Sequence, residues 1–302
     1  MIPVLFHIGP ISVYSFGLMM GIAFLVANYF FAKEMRRRGL PEQAAGTVTI
    51  LALVGGVVGS KLFSLLENLD RFLADPMGEM FSSAGLTFYG GLILATLLIF
   101  LYIRTKKLSF RKVADAAAPA LIIAYGIGRI GCQLAGDGDY GIPSDLPWAM
   151  TYPKGTVSTI VDSAYARSQG IAPNTELAEK FRQMYPNRPM PPDIPVHPAP
   201  VYETLTALGI FFFLWRIRTR PMPAGKLFSI YLILAGAERL LVEFIRLNPL
   251  YLGLSQAQWI SIGMIGCGGI FLYLLRNSEP ERFEPRTQMR AAPQGDPKRR
   301  NA

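Results

Sequence analysis

The residues able to do chemistry gather in a few short polar motifs, and GRIGCQLAGDGDYG, from Gly128 to Gly141, comes first among them. Arg129 lies inside a run that otherwise reads as buried in a membrane. Behind it, Asp137 and Asp139 alternate with glycines, which reach backbone conformations that other residues resist. A charge within a hydrocarbon layer is costly, so its default reading is a functional site, with snorkelling or structural pairing as the plainer alternative. No carboxylate lies within a helical turn of Arg129. It must find its anion elsewhere: Asp137 or Asp139 from the turn, Glu203 or Glu243 from another segment, or a lipid phosphate.

Further polar motifs interrupt the apolar background: GSK at Gly59 to Lys61, TFYGG at Thr87 to Gly91, HPAPVYE at His197 to Glu203, and ERLLVEFIR at Glu238 to Arg246. Arg239, Glu243 and Arg246 follow i, i+4, i+7 spacing and so share one helix face, where Glu243 can pair with Arg239. Self-satisfied pairing is a sufficient reason for such charges, since a buried charge must be paired whatever else it does. Asp137 and Asp139 read first as turn formers, with arginine pairing and proton acceptance as further roles.

These motifs are carried by long apolar segments. Of the 302 residues, 51% are hydrophobic, and uninterrupted apolar windows of about twenty residues recur, the length that crosses roughly 30 Å of hydrocarbon as a helix. Seven spans are expected, near Tyr14 to Ala32, Ala45 to Leu66, Leu86 to Ile103, Ala114 to Leu134, Pro200 to Trp215, Leu227 to Ile245 and Trp259 to Leu275. The fold class is therefore an all-α polytopic membrane protein. MIPVLFHIGP lacks the basic start and the cleavage site of a signal peptide, so the first span is expected to be retained.

Every second connection is basic, at Lys33 to Arg38, Arg104 to Lys112, Arg216 to Lys226, and after Leu275. Positive-inside bias then puts the N-terminus outside and the C-terminus in the cytoplasm. Residues 136–198 form a small extracytoplasmic head between transmembrane parts 1–135 and 199–276, and 277–302 reads as a disordered tail. Within the head, Leu177, Phe181 and Met184 mark an amphipathic helix with Asn174 or Thr175 as its N-cap, either a lid or a face packed on the membrane domain. Glycine runs such as GGVVGS and GMIGCGG fit close helix packing.

The net charge of +9 is spread through these connections and does not form an aromatic platform, which excludes nucleic acid as a partner. Cys132 and Cys267 lie apart and read as small packing residues, without disulfide or metal spacing. Two rival classes remain. An anion or lipid transporter would show repeats and a midplane site, and a purely structural protein would not leave Arg129 unpaired.

TFYGG, GRIGCQLAGDGDYG, HPAPVYE and RLLVEFIR, in this order on a seven-span chain, resemble the bacterial prolipoprotein diacylglyceryl transferases, from IGPISVYSFGLMMG through the sixth span. The resemblance implies transfer of diacylglyceryl from phosphatidylglycerol to the lipobox cysteine of a prolipoprotein signal peptide, releasing glycerol phosphate, in the bacterial cytoplasmic (inner) membrane among its lipids. It implies no metal or cofactor. Arg129 matches the arginine that contacts the lipid phosphate, Arg239 the second essential arginine, and Glu243 the acid one turn on. Gly128, Gly131, Asp137, Asp139, Gly141, Tyr202 and Glu203 join Arg129 as candidate substrate-binding residues. Candidate catalytic residues are Arg239, Glu243, Tyr89 and His197.

This chain departs from the family at two places, with Tyr89 where many members carry histidine and Ala235 where a tyrosine is expected. A tyrosine, ionising near pH 10, is a poor base. Tyr89 is accordingly expected to orient substrate, or to relay a proton only if an arginine ionises it, and thiol activation to be electrostatic. His197 is the alternative base, or a structural hydrogen-bonding residue.

Overall fold

The computed structural model describes residues 1–9, 11–81 and 87–281. Leu86, where the third span was expected to begin, and residues 282–302 of the expected tail lie outside the described residues. An apolar chain in hydrocarbon must satisfy its backbone internally, and helices do that. The long helices are α1 (Ser15–Arg37), α2 (Gln43–Glu67), α5 (Phe88–Thr105), α6 (Phe110–Ala135), α9 (Ala199–Ile217), α10 (Lys226–Glu243) and α11 (Gln256–Leu274). Short helices α3 (Leu69–Ala74) and α4 (Pro76–Phe81) precede α5, and α7 (Ser163–Ser168) and α8 (Thr175–Met184) belong to the head.

Five of the long helices, α1, α2, α5, α6 and α11, are long and apolar enough to cross a membrane. Helix α9 carries Glu203 and Arg216, and α10 carries Lys226, Glu238, Arg239 and Glu243; that polarity keeps both outside the set. Large apolar side chains such as Leu25, Ile50, Phe212 and Ile270 face outward and are exposed. In water so much apolar surface would aggregate, whereas lipid tails solvate it. The protein is thus a mostly helical, polytopic membrane protein.

Two β-ribbons were not anticipated. Strands β1 (Val4–Ile8) and β2 (Ile11–Tyr14) form an antiparallel pair ahead of α1, and β3 (Leu250–Tyr251) pairs with β4 (Leu254–Ser255) ahead of α11. Both hide in apolar runs, where periodicity alone does not separate a short strand from helix.

Helix α6 is central, packing on α1, α9 and α10, while α2 pairs with α5 and α10 with α11. Glycine permits the α2–α5 approach: a Cβ on Gly59 would collide with the Gly90 carbonyl. One buried cluster joins Phe31, Met35, Ala45, Val48, Ile103 and Ala116, a second joins Ala118, Ile122, Ala207, Phe211, Leu214 and Leu227, and a third fills the head. In the head, Asn174 caps α8 by accepting from the Leu177 N–H at 3.0 Å. Leu177 and Phe181 are buried beside Tyr140 and Tyr152, whereas Met184 at the helix end is exposed. Cys132 is buried as expected; Cys267, also expected to be a small packing residue, is exposed on α11.

At the end of the bundle opposite the head, the basic clusters meet buried carboxylates. Fully buried Glu34 accepts from Arg218 Nε at 2.8 Å and Arg37 Nη2 at 2.7 Å. Asp115 caps α10 by accepting from the Gly225 and Phe228 N–H groups at 2.8 and 2.7 Å, and it pairs with Arg38 at 3.1 Å. The start of the expected tail is held there too, since Glu281 pairs with Arg38 at 3.0 Å and Lys112 at 3.1 Å.

Candidate active site

At the head end, α6 stops where Gly136 adopts a left-handed C-cap with φ 59°. The turn continues through Gly138, φ 92°, with the Asp139 N–H reaching Asp137 Oδ1 at 3.3 Å. Gly141 then threads between two other segments. Its N–H donates to the His197 carbonyl at 2.8 Å, the Ile142 N–H to the Ile245 carbonyl at 2.7 Å, and the His197 N–H returns to the Ile142 carbonyl at 3.1 Å. A Cβ at Gly141 would strike the Ile245 carbonyl, so only glycine fits. This backbone ladder pins the end of α6 to the lead-in of α9 and the run-out of α10.

Arg129, Glu203, Arg239, Glu243 and Arg246 consequently converge. Glu203, fully buried, is the hub: its Oε1 accepts from Tyr125 Oη at 2.7 Å and Arg239 Nη1 at 3.1 Å, and lies 3.3 Å from Arg129 Nε. Its Oε2 stands 3.6 Å from Arg246 Nη1. Asp139 bridges on the outer side, one oxygen accepting from Arg129 Nη1 and the other from Arg246 Nη2. Arg239 Nη2 pairs with Glu243 at 3.0 Å, and Glu243 accepts from Asn248 at 2.5 Å. The Arg129 guanidinium also lies 5.1 Å from the centre of the Tyr125 ring, in cation–π range. Of the anions open to Arg129, the structure selects Asp139 and Glu203; Asp137 shapes the turn and Glu243 serves Arg239.

The charges cancel. Arg129, Arg239 and Arg246 face Asp139, Glu203 and Glu243, and a fourth carboxylate, Glu238, is buried beside Arg239 in sequence with no hydrogen-bond partner for Oε1 among the described residues. Burial raises the Asp139 pKa, but Arg246 and Arg129 outweigh it and hold the carboxyl below its usual range. Burial pushes the His197 pKa down, favouring the neutral ring.

Other expected site residues lie apart from this network. The His197 ring has its Nδ1 3.3 Å from the Tyr202 hydroxyl, which accepts from Trp148 Nε1 at 2.8 Å. Tyr89 packs edge-on against Phe88 and, with Tyr251, Gln256, Trp259 and Ile260, lines a cavity of about 450 Å³. Gly131 serves packing, as a Cβ there would come within 3.1 Å of Met19, and a Cβ on Gly128 would make ordinary contact with Met20 at 3.8 Å. Cys132, Asp137 and Asp139 hold their ligand atoms within 4.8 Å of one another, a grouping that could bind a metal ion. Arg129 already lends a positive charge there, donating to Cys132 Sγ at 3.7 Å and to Asp139.

Arg246 and Tyr125 were not among the expected site residues. Both were traceable, Tyr125 as the residue four before Arg129 and Arg246 through its spacing from Arg239. Helix α10 nevertheless ends at Glu243, and Arg246 lies beyond it, in a bridge with Gly141 and not on a face shared with Arg239. For Trp148 and for Glu238, whose Oε1 has no hydrogen-bond partner among the described residues, spacing carries no signal.

The class is set by these features: a polytopic membrane protein with a buried arginine–carboxylate centre at one end of its bundle. The family profile of the prolipoprotein diacylglyceryl transferases matches residues 3–274. A phosphatidylglycerol–prolipoprotein diacylglyceryl transferase of Burkholderia thailandensis is 32% identical, covering 89% of this chain and 93% of its own. Proteins of the same name from Bordetella avium and Clostridium tetani are 30% and 29% identical, each covering 90% of this chain and 94% and 96% of their own. The chain belongs to the prolipoprotein diacylglyceryl transferase family.

Proposed function

We infer that the protein transfers the diacylglyceryl group of phosphatidylglycerol to the lipobox cysteine thiol of prolipoproteins in the bacterial cytoplasmic membrane. The observation that carries this reading is the meeting of Arg129, Arg239 and Arg246 around Glu203 and Asp139 at one end of a membrane bundle. In the reaction a C–S bond forms at a glycerol carbon and its C–O bond breaks, leaving the electron pair on the phosphate oxygen of glycerol phosphate. Guanidiniums suit both stages, binding the phosphodiester in the ground state and stabilising the charge that collects as it leaves. They also favour the thiolate over the thiol, whose free pKa is about 8.5.

Helices α9 and α10 complete seven spans, because each packs on α6 and turns its charges toward the centre. Positive-inside bias supports a head outside the cytoplasm, where Arg129 meets outer-leaflet phosphate and an arriving signal peptide. The head supports a substrate-handling role, and Tyr202 and His197 line its junction with α9. A transporter reading gains nothing from a centre gathered at one end of the bundle. Purified protein given phosphatidylglycerol and a lipobox peptide is expected to yield glycerol phosphate and thioether-modified peptide in equal amounts. Folded protein that yields neither overturns the reading.

A further inference from the structure

The centre as built has no spare positive charge, so a phosphodiester can bind well only if a carboxylate gives way. Glu203 is ill placed to leave: it is fully buried on α9 and held by Tyr125, Arg239 and Arg129 at once. Glu243 lies one helical turn from Arg239, 1% exposed, and is fixed by Asn248. Asp139 differs on every count. Its side chain is 31% exposed, it lies on the glycine turn beyond α6, and rotation of that side chain alone would release Arg129 Nη1 and Arg246 Nη2 while Glu203 still holds the other side of each guanidinium. It also bridges as a phosphodiester does, with one oxygen to Arg129 and one to Arg246, matching two non-bridging phosphate oxygens.

We propose that Asp139 is an internal anion that occupies the phosphate position between Arg129 and Arg246 and is displaced by the substrate headgroup. The inference rests on the transferase reading for the identity of that headgroup. Glu203 stays in place and keeps the arginines aligned, while Asp139 swings out on its turn. The charge of the centre thereby stays the same with and without substrate, and no unpaired guanidinium faces the lipid between turnovers. Competition of this kind lowers apparent affinity by the fraction of time the site is open, roughly tenfold if Asp139 is seated nine-tenths of the time.

The test is calorimetric titration of purified unaltered and Asp139→Asn protein with two phosphates, free glycerol phosphate and phosphatidylglycerol in detergent micelles. The two probes separate a soluble phosphate from a lipid headgroup as the source of the anion. Asn keeps the shape of Asp without its charge, so the variant is expected to bind both probes roughly tenfold more tightly. A carboxylate that merely braced the fold would, on removal, weaken binding. Should the variant not fold, hydrogen exchange on the unaltered protein decides: saturating glycerol phosphate is expected to speed exchange at residues 137–139 while leaving Gly141 and Ile142 unchanged. The inference is overturned if the variant binds either probe no more tightly, or if exchange at 137–139 is unchanged or slowed. Since neither readout needs turnover, a failed transfer assay with tightened phosphate binding removes the transferase reading and leaves the displacement standing, and the converse result does the reverse.

Discussion

Glu203 gathers three arginines with a single carboxylate, an arrangement that in a low-dielectric setting holds only while every member is present. Because their charge is shared, the arginines are not interchangeable with neutral residues. Arg129→Ala and Arg239→Ala are expected to lower transfer by about 10²- to 10³-fold, the loss typical of removing one stabilising donor, whereas Tyr89→Phe keeps the rate within about twofold. Initial rates on phosphatidylglycerol and a lipobox peptide check this; a Tyr89→Phe loss matching that of the arginine variants would restore its hydroxyl to the chemistry. The outer carboxylate gives a pH signature. Asp139 titrates lower in the folded protein than unfolded, so its pairs stabilise fully above the unfolded value of about 3.9 and are lost as pH falls through the folded one. Thermal unfolding in detergent is therefore expected to show unaltered protein above Asp139→Asn near neutral pH, with the gap closing once the pH drops below that window.

Among the elements, the α2–α5 crossing is the most sensitive to volume. Gly59→Leu drives a branched side chain into the Gly90 backbone, and an overpacking cost of about 1–3 kcal/mol is expected, read as a lowered unfolding temperature with little change at the arginine centre. The long helices and the polar motifs on them were legible in the sequence for one reason: charge in hydrocarbon is so unfavourable that each exception stands out. Which acid meets which arginine was not legible. Arg129 finds Asp139 ten residues on and Glu203 on α9, and only the packing of α6 against α9 and α10 decides that. The two ribbons were missed because β1–β2 and β3–β4 are short and apolar, and Cys267 was misjudged because its neighbours in sequence do not say whether a helix face meets protein or lipid.

For the whole molecule, the two ends of the bundle are unlike. One carries the head and the arginine centre, the other the basic clusters threaded with Glu34, Asp115 and Glu281. That asymmetry supports the proposed orientation, with the head outside the cytoplasm. In intact cells a membrane-impermeant maleimide is expected to label Ser168→Cys in the head and to reach Lys106→Cys only after lysis, both positions being exposed. The reverse pattern would invert the topology.

The ladder at Gly141 bears on how such a protein changes over generations. Its bonds run between peptide groups, which every residue but proline supplies in full, so the frame that brings three helix ends together depends little on the side chains it presents. Substitutions at Asp139, His197 or Arg246 alter charge and shape while leaving those rungs intact; only position 141 has no substitute. Descendants can thus drift toward other anionic headgroups by recharging the rim, with one glycine as the fixed point of the lineage.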